Sequence, residues 1–224
     1  MKITYLGQAG LLFKKNNFKI IVDPYLSNSV VKVNPNNYRR QPIDESLFDL
    51  RPDVMIFTHD HLDHYDPETA EVYLKKYSNM TILSPTSVYQ KAVKLGNFNN
   101  YICFNRYTRW TQNGVTFTSV RAEHSDPFAI GVIIDDGEKK YYITGDTLYN
   151  EDIFNDIPDD IDVLFLPING LGNNMNMLDA QDFAKKVNPK VVVPFHVGMF
   201  DEMTADDFGA DNKVIPEIYK EIKL

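Results

Sequence analysis

All five histidines of this 224-residue chain follow an apolar, strand-like run. His59, His61 and His64 are packed into Thr58-His59-Asp60-His61-Leu62-Asp63-His64, directly behind Val54-Met55-Ile56-Phe57, while His124 and His196 stand alone behind later runs. Imidazole is the commonest nitrogen ligand of zinc-like ions, and a local cluster completes a coordination sphere when distant strands deliver the missing ligands. A fold that serves this pattern must gather several strand ends at one place. If the cluster is extended, residues two apart share a side, so His59 and His61 grip one ion while Asp63 and His64 continue toward a second. Asp146, behind Tyr141 to Thr144, offers two oxygens with which to bridge two ions, and Gly145 lets the backbone come close.

The chain is long enough for one large domain, read here as residues 1–224, with 43% hydrophobic residues to fill its core. Met1-Lys2 leads straight into a short strand-like run, so no secretory signal is expected, and no apolar stretch reaches membrane-spanning length. The single cysteine, Cys103, rules out an internal disulfide and suits a reducing cytoplasm; within Tyr101-Ile102-Cys103-Phe104 it reads as a small buried apolar residue. With 23 basic and 31 acidic residues the net charge is −8, which argues against a nucleic-acid partner. The partner expected is a small-molecule substrate, with no membrane; homo-oligomerisation stays open.

Strands are expected at Lys2 to Leu6, Phe18 to Val22 and Val54 to Phe57, with an Asn- and Pro-rich loop from Ser27 to Pro42. Asp66 as N-cap and Pro67 in the first turn start a helix whose stripe is Ala70, Tyr73, Leu74 and Tyr77. A second helix is expected from Thr86 to Leu95, closed by Gly96. Strands follow from Tyr101 to Thr144, with turns at Asn113-Gly114 and Asp136-Gly137, the latter joining Ile130 to Ile134 with Tyr141 to Thr144 as a hairpin. Val163 to Leu166 and Val191 to Val193 read as strands around a helix marked by Ala180, Phe183, Ala184 and Val187. Two successive sets of strands and helices imply two sheets, each faced by helices.

The ordered series His-x-His-x-Asp-His, lone histidine, Gly-Asp and final histidine resembles the metallo-β-lactamase-fold hydrolases, as do Tyr5-Leu6-Gly7-Gln8-Ala9-Gly10 and Ile21-Val22-Asp23-Pro24. The resemblance implies an α+β, four-layer αββα sandwich. It also implies that His59, His61 and His124 hold one metal, that Asp63, His64 and His196 hold a second, and that Asp146 bridges. Asp23 is expected behind a ligand histidine, accepting its other N–H. Leu166 to Gly170, Asn174 to Met177 and His196 to Phe200 further resemble the L-ascorbate-6-phosphate lactonase-like branch.

Two adjacent divalent ions, zinc first and manganese or iron as alternatives, would acidify a bridging water and polarise a carbonyl or phosphoryl oxygen. Hydrolysis is the expected reaction, with Asp63 as the catalytic carboxylate. Tyr25, Arg39, Arg40, Arg121, Asn169 and Asn174 are expected to form a rim for a small, oxygen-rich anion such as a lactone, ester or phosphoester. Three competitors remain. A metal-dependent binding or sensing module shares the ligands without turnover. A di-iron redox protein of this fold carries glutamate where this chain has His61, and a nuclease needs a basic arm that net −8 does not supply.

Overall fold

The structure is a computed structural model that describes residues 1–96 and 98–224. Two six-stranded sheets face one another. The first runs β1 (Lys2–Gly7), β2 (Gly10–Lys15), β3 (Phe18–Val22), β4 (Val54–Ile56), β5 (Thr81–Ser84) and β6 (Asn100–Cys103) in spatial order, antiparallel over β1 to β3 and parallel from β3 onward. The second comprises β7 (Arg109–Gln112), β8 (Val115–Arg121), β9 (Ile130–Asp135), β10 (Lys140–Ile143), β11 (Val163–Pro167) and β12 (Val191–Phe195), antiparallel through β10 and parallel thereafter. Helices α1 (Pro67–Lys76) and α2 (Thr86–Ala92) cover the first sheet, and α3 (Met177–Val187) covers the second.

Continuous apolar runs are what this layering demands, because sheets covered on both faces have no polar side. In β3, Ile20 and Val22 point between the sheets while Ile21 points to the helices; in β11, Val163 and Phe165 point inward while Leu164 and Leu166 meet α3. Phe13 and Phe165 from opposite sheets meet edge to face at 6.0 Å. Each such buried side chain contributes about 1.5–3 kcal/mol. The result is the four-layer αββα arrangement that the sequence implied.

The expected hairpin forms, with Ile134 opposite Tyr141 and Val132 opposite Ile143. Asp66 caps α1 by accepting from the backbone N–H groups of Glu68 and Thr69, which fixes the exit of the histidine loop. Among the described residues no helix is long and apolar enough to cross a membrane.

Four local expectations need correction. Strands β2 and β5 carry no distinctive turn signal and were missed; β1 returns into β2 through Gly7 and Gln8 at φ 91° and 54° rather than through an Asn-Gly turn. Helix α2 ends at Ala92, and Gly96 lets the chain cross α1, since a Cβ there would lie 2.5 Å from the Leu74 carbonyl oxygen. Cys103 is exposed, not buried, because β6 is the edge strand of its sheet. The histidine cluster is a series of bends and turns, with the His64 and Tyr65 N–H groups both donating to the His61 carbonyl, so its ligands are sorted by a turn rather than by strand alternation.

Candidate metal centre

The parallel order carries the C-terminal ends of β3, β4, β8, β10 and β12 to one end of the sandwich, and Asp23, the His59 to His64 loop, His124, Asp146 and His196 follow those ends. Two cross-sheet hydrogen bonds lock that edge: Ile130 N–H to the Thr58 carbonyl at 3.0 Å and His196 N–H to the Gln8 carbonyl at 2.9 Å. Gly145, at φ +63°, is wedged between the two sheets, where a Cβ would meet the Ile130 oxygen of β9 at 2.9 Å and Thr58 Cβ, just beyond β4, at 3.0 Å. Only a residue without Cβ fits there comfortably.

Three groups of donors result, the ligand atoms within each lying within 4.8 Å of one another: His59, His61 and His124; His59, His64 and Asp146; and Asp63, His64 and His196. His61 Nδ1 lies 3.1 Å from His124 Nε2, and His196 Nε2 lies 3.2 Å from both Asp63 Oδ2 and Asp146 Oδ2. Asp146 Oδ1 lies 3.0 Å from His64 Nε2 but outside hydrogen-bond geometry.

His59 Nε2 and Asp146 Oδ1 are buried with no hydrogen-bond partner among the described residues. Each such orphan costs about 1–3 kcal/mol, which a cation between them would offset. The donor set therefore fits divalent ions, and its lack of thiolate suits zinc, manganese or iron.

The charges divide the site into two halves. Burial alone would raise the Asp63 and Asp146 carboxyls, but the imidazoles of His64 and His196 hold both well below the usual carboxylate range. Burial alone would lower His64 and His196, but Asp146, Asp23 and Asp63 hold His64 well above its ordinary value, and Asp146 with Asp63 pushes His196 up to about 9. Burial drives His59 and His124 downward, so that these imidazoles are neutral and ready to ligate. Metal binding here would have to displace protons from His64 and His196, whereas His59 and His124 would offer free ring nitrogens.

Behind the ligands stands a set of buried supports. Asp23 accepts from Thr58 N–H at 2.8 Å and from Thr58 Oγ1 at 2.6 Å, and lies 2.8 Å from His64 Nδ1. That contact turns His64 Nε2 toward Asp146. Asn174 donates from Nδ2 to Asp146 Oδ2 at 2.8 Å and accepts from Thr147 N–H at 3.0 Å. Gln8 donates from Nε2 to Asp63 Oδ2 at 2.8 Å. Gln8 and Thr58 were not recognised as site residues from sequence, although Gln8 lies in the quoted turn after β1, where its positive φ aims it across the sheets.

The expected substrate rim is not assembled. Tyr25 is buried behind the wall and its ring packs against Phe200 at 5.6 Å. Arg39 donates to the carbonyls of Tyr25 and Gln41 and to the Tyr219 hydroxyl, and Arg40 pairs with Glu202. Arg121 is held by Glu123 at 2.9 Å and Asp152 at 3.2 Å and lines a neighbouring cavity. Asn174 is buried, turns its amide to Asp146 and Thr147, and does not border the cavity over the ligands. Asn169 alone of these six lines the cavity over the ligands, a space of about 250 Å³ that also borders Gln8, His61, Asp63, Asp146 and His196.

Residues 2–196 match the family model described as a beta-lactamase superfamily domain. A UPF0173 metal-dependent hydrolase of Exiguobacterium is 31% identical over 224 residues, covering 92% of this chain and 90% of the relative. A UPF0173 protein of Pyrococcus furiosus is 26% identical over 213 residues, covering 93% of this chain and 89% of its own. The solved structure of Igni18, a metallo hydrolase of Ignicoccus hospitalis, superposes with a TM-score of 0.79 at 20% identity over 99% of this chain and 97% of that one. With these matches spanning the strands and the ligand-bearing loops alike, the chain belongs to the beta-lactamase superfamily, in its metallo-β-lactamase fold, and to the UPF0173 metal-dependent hydrolases.

Proposed function

We propose that this chain hydrolyses a small carboxyl or phosphoryl ester, lactones included, with two divalent ions. The observation that carries the proposal is the pair of donor triads joined through His59, His64 and Asp146, with two buried donor atoms unpartnered at the join. His59, His61 and His124 would hold one ion, Asp63, His64 and His196 the other, and Asp146 would contact both. Bound ions would supply Lewis-acid polarisation and acidify water, with zinc the first choice and manganese or iron next.

The side chains do the rest. Gln8 Nε2 fixes Asp63 Oδ2 at the cavity wall, where that oxygen can accept a proton from the attacking water and return it to the leaving group. Asn174 fixes the Asp146 carboxylate and Asp23 fixes His64, so the reacting geometry is set before substrate arrives. The test is turnover in ¹⁸O-labelled water of metal-reconstituted protein against lactones, aryl esters and phosphodiesters. One solvent oxygen per product, lost in Asp63→Asn, is the expected result. Binding without turnover, or product oxygen drawn from O2, would overturn the proposal.

A further inference from the structure

Arg106 and Arg121 line a separate cavity beside His124; among the described residues no lysine or arginine lines the cavity that borders His61, Asp63, Asp146 and His196, where a cationic rim was expected. Its wall instead combines Val30, Leu171 and Phe200 with Asn169 and Asp201. Leu171 is 65% exposed, an apolar side chain left in solvent at the mouth of the cavity, on a turn made by Gly170, Gly172 and Asn173 at positive φ. Asn169 Oδ1 is buried without a partner among the described residues. Asp201 Oδ1 accepts from the Gly198 and Met203 N–H groups at 3.0 and 2.9 Å, and its second oxygen has no partner among the described residues.

Apolar walls, a carboxylate and the neutral amides of Asn37 and Asn169, with no lysine or arginine among them, favour one kind of ligand. An anionic group held away from the reacting bond would face Asp201 across a small cavity and find no lysine or arginine on its wall to pair with. The nearby arginines face elsewhere: Arg121 pairs with Glu123 and Asp152, Arg40 pairs with Glu202, and Arg39 donates to backbone carbonyls.

We infer that the substrate is a small non-anionic ester or lactone that carries a hydrogen-bond donor, the donor meeting the Asp201 carboxylate and its short apolar part lying on Val30, Leu171 and Phe200. The inference rests on the hydrolytic reading for its reacting group, but its selectivity is read by binding.

Three hydroxamates of one chain length serve as probes, because hydroxamate binds divalent ions whether or not the enzyme turns over. They are caproic hydroxamate, ε-aminocaproic hydroxamate and adipic monohydroxamate, titrated calorimetrically into zinc- or manganese-loaded protein. The carboxylate-tailed probe should bind about tenfold more weakly than the ammonium-tailed one. Asp201→Asn keeps the acceptor for Gly198 and Met203 and removes the charge, so the ratio should narrow to about threefold while metal content is unchanged. Leu171→Ser should weaken the methyl-tailed probe. A carboxylate tail that binds as well as or better than the ammonium tail, a ratio untouched by Asp201→Asn, or no binding of any probe to metal-loaded protein would overturn the inference. Tail selectivity without ester turnover would instead contradict only the hydrolytic reading.

Discussion

Asp23→Asn separates metal positioning from fold. Asp23 is buried at φ 43°, a left-handed conformation that asparagine tolerates nearly as well as aspartate and alanine does not. Asparagine can still accept Thr58 N–H through Oδ1, but its NH2 now faces His64 Nδ1, where the carboxylate lies 2.8 Å away in the native protein. His64 Nδ1 must then accept, which moves the ring proton to Nε2, the atom 3.0 Å from Asp146 and 3.3 Å from His196. An Nε2 that carries a proton cannot ligate. Losing such an orienting partner costs about 10–100-fold in metal affinity, or about 1.4–2.7 kcal/mol. The weaker of two sites should therefore drop by that factor in a competition titration against a chromophoric chelator, while the site of His59, His61 and His124 changes less than threefold. Asp23→Ala is a harsher perturbation. It strands Thr58 N–H and His64 Nδ1, at about 1–3 kcal/mol each, so urea unfolding should show a loss of about 2–6 kcal/mol. Wild-type affinity at both sites in Asp23→Asn would refute the reasoning.

Asn174→Ala removes the amide that orients Asp146, so both metal affinities should fall together in the same titration; loss at one site alone would contradict a shared Asp146. Gly145→Ala should lower thermal stability by about 1–3 kcal/mol, through strained φ and the contact with the Ile130 oxygen, as read by calorimetry. Acid should destabilise the fold through Asp136 and Asp156. Burial alone would raise both, but backbone N–H donors and the N-terminal amine hold Asp136 down, and Arg106 with the Arg121 N–H holds Asp156 down. A carboxylate lowered by folding contributes stability above its unfolded value near 3.8 that is lost as pH falls through the folded value. Unfolding free energy should thus decline below about pH 4, and Asp156→Asn should flatten that decline; an unchanged slope would remove Asp156 from the account.

The candidate donor cluster was legible in sequence because ligation restricts residue type and order, and the strands that bring these side chains together are buried on both faces. His59, His61, His64, His124 and His196 could hardly be placed by packing alone. The αββα layering followed from the same apolar runs. Strands β2 and β5 were not legible, since four to six residues of mixed character carry too little period to announce themselves. The substrate rim failed for a different reason. A sequence shows that Arg39, Arg40 and Arg121 exist but not that Tyr219, Glu202 and Glu123 with Asp152 reach them first. Gln8 was hidden likewise, because its role depends on a turn that carries it across the gap between two sheets.

Anomalous diffraction at the metal edge, combined with elemental analysis of the same reconstituted protein, addresses the central claim most directly. The account predicts two ions per chain, one among His59, His61 and His124 and one among Asp63, His64 and His196, with Asp146 touching both. A stoichiometry that never exceeds one, or a second ion bound away from Asp63 and His196, would contradict it.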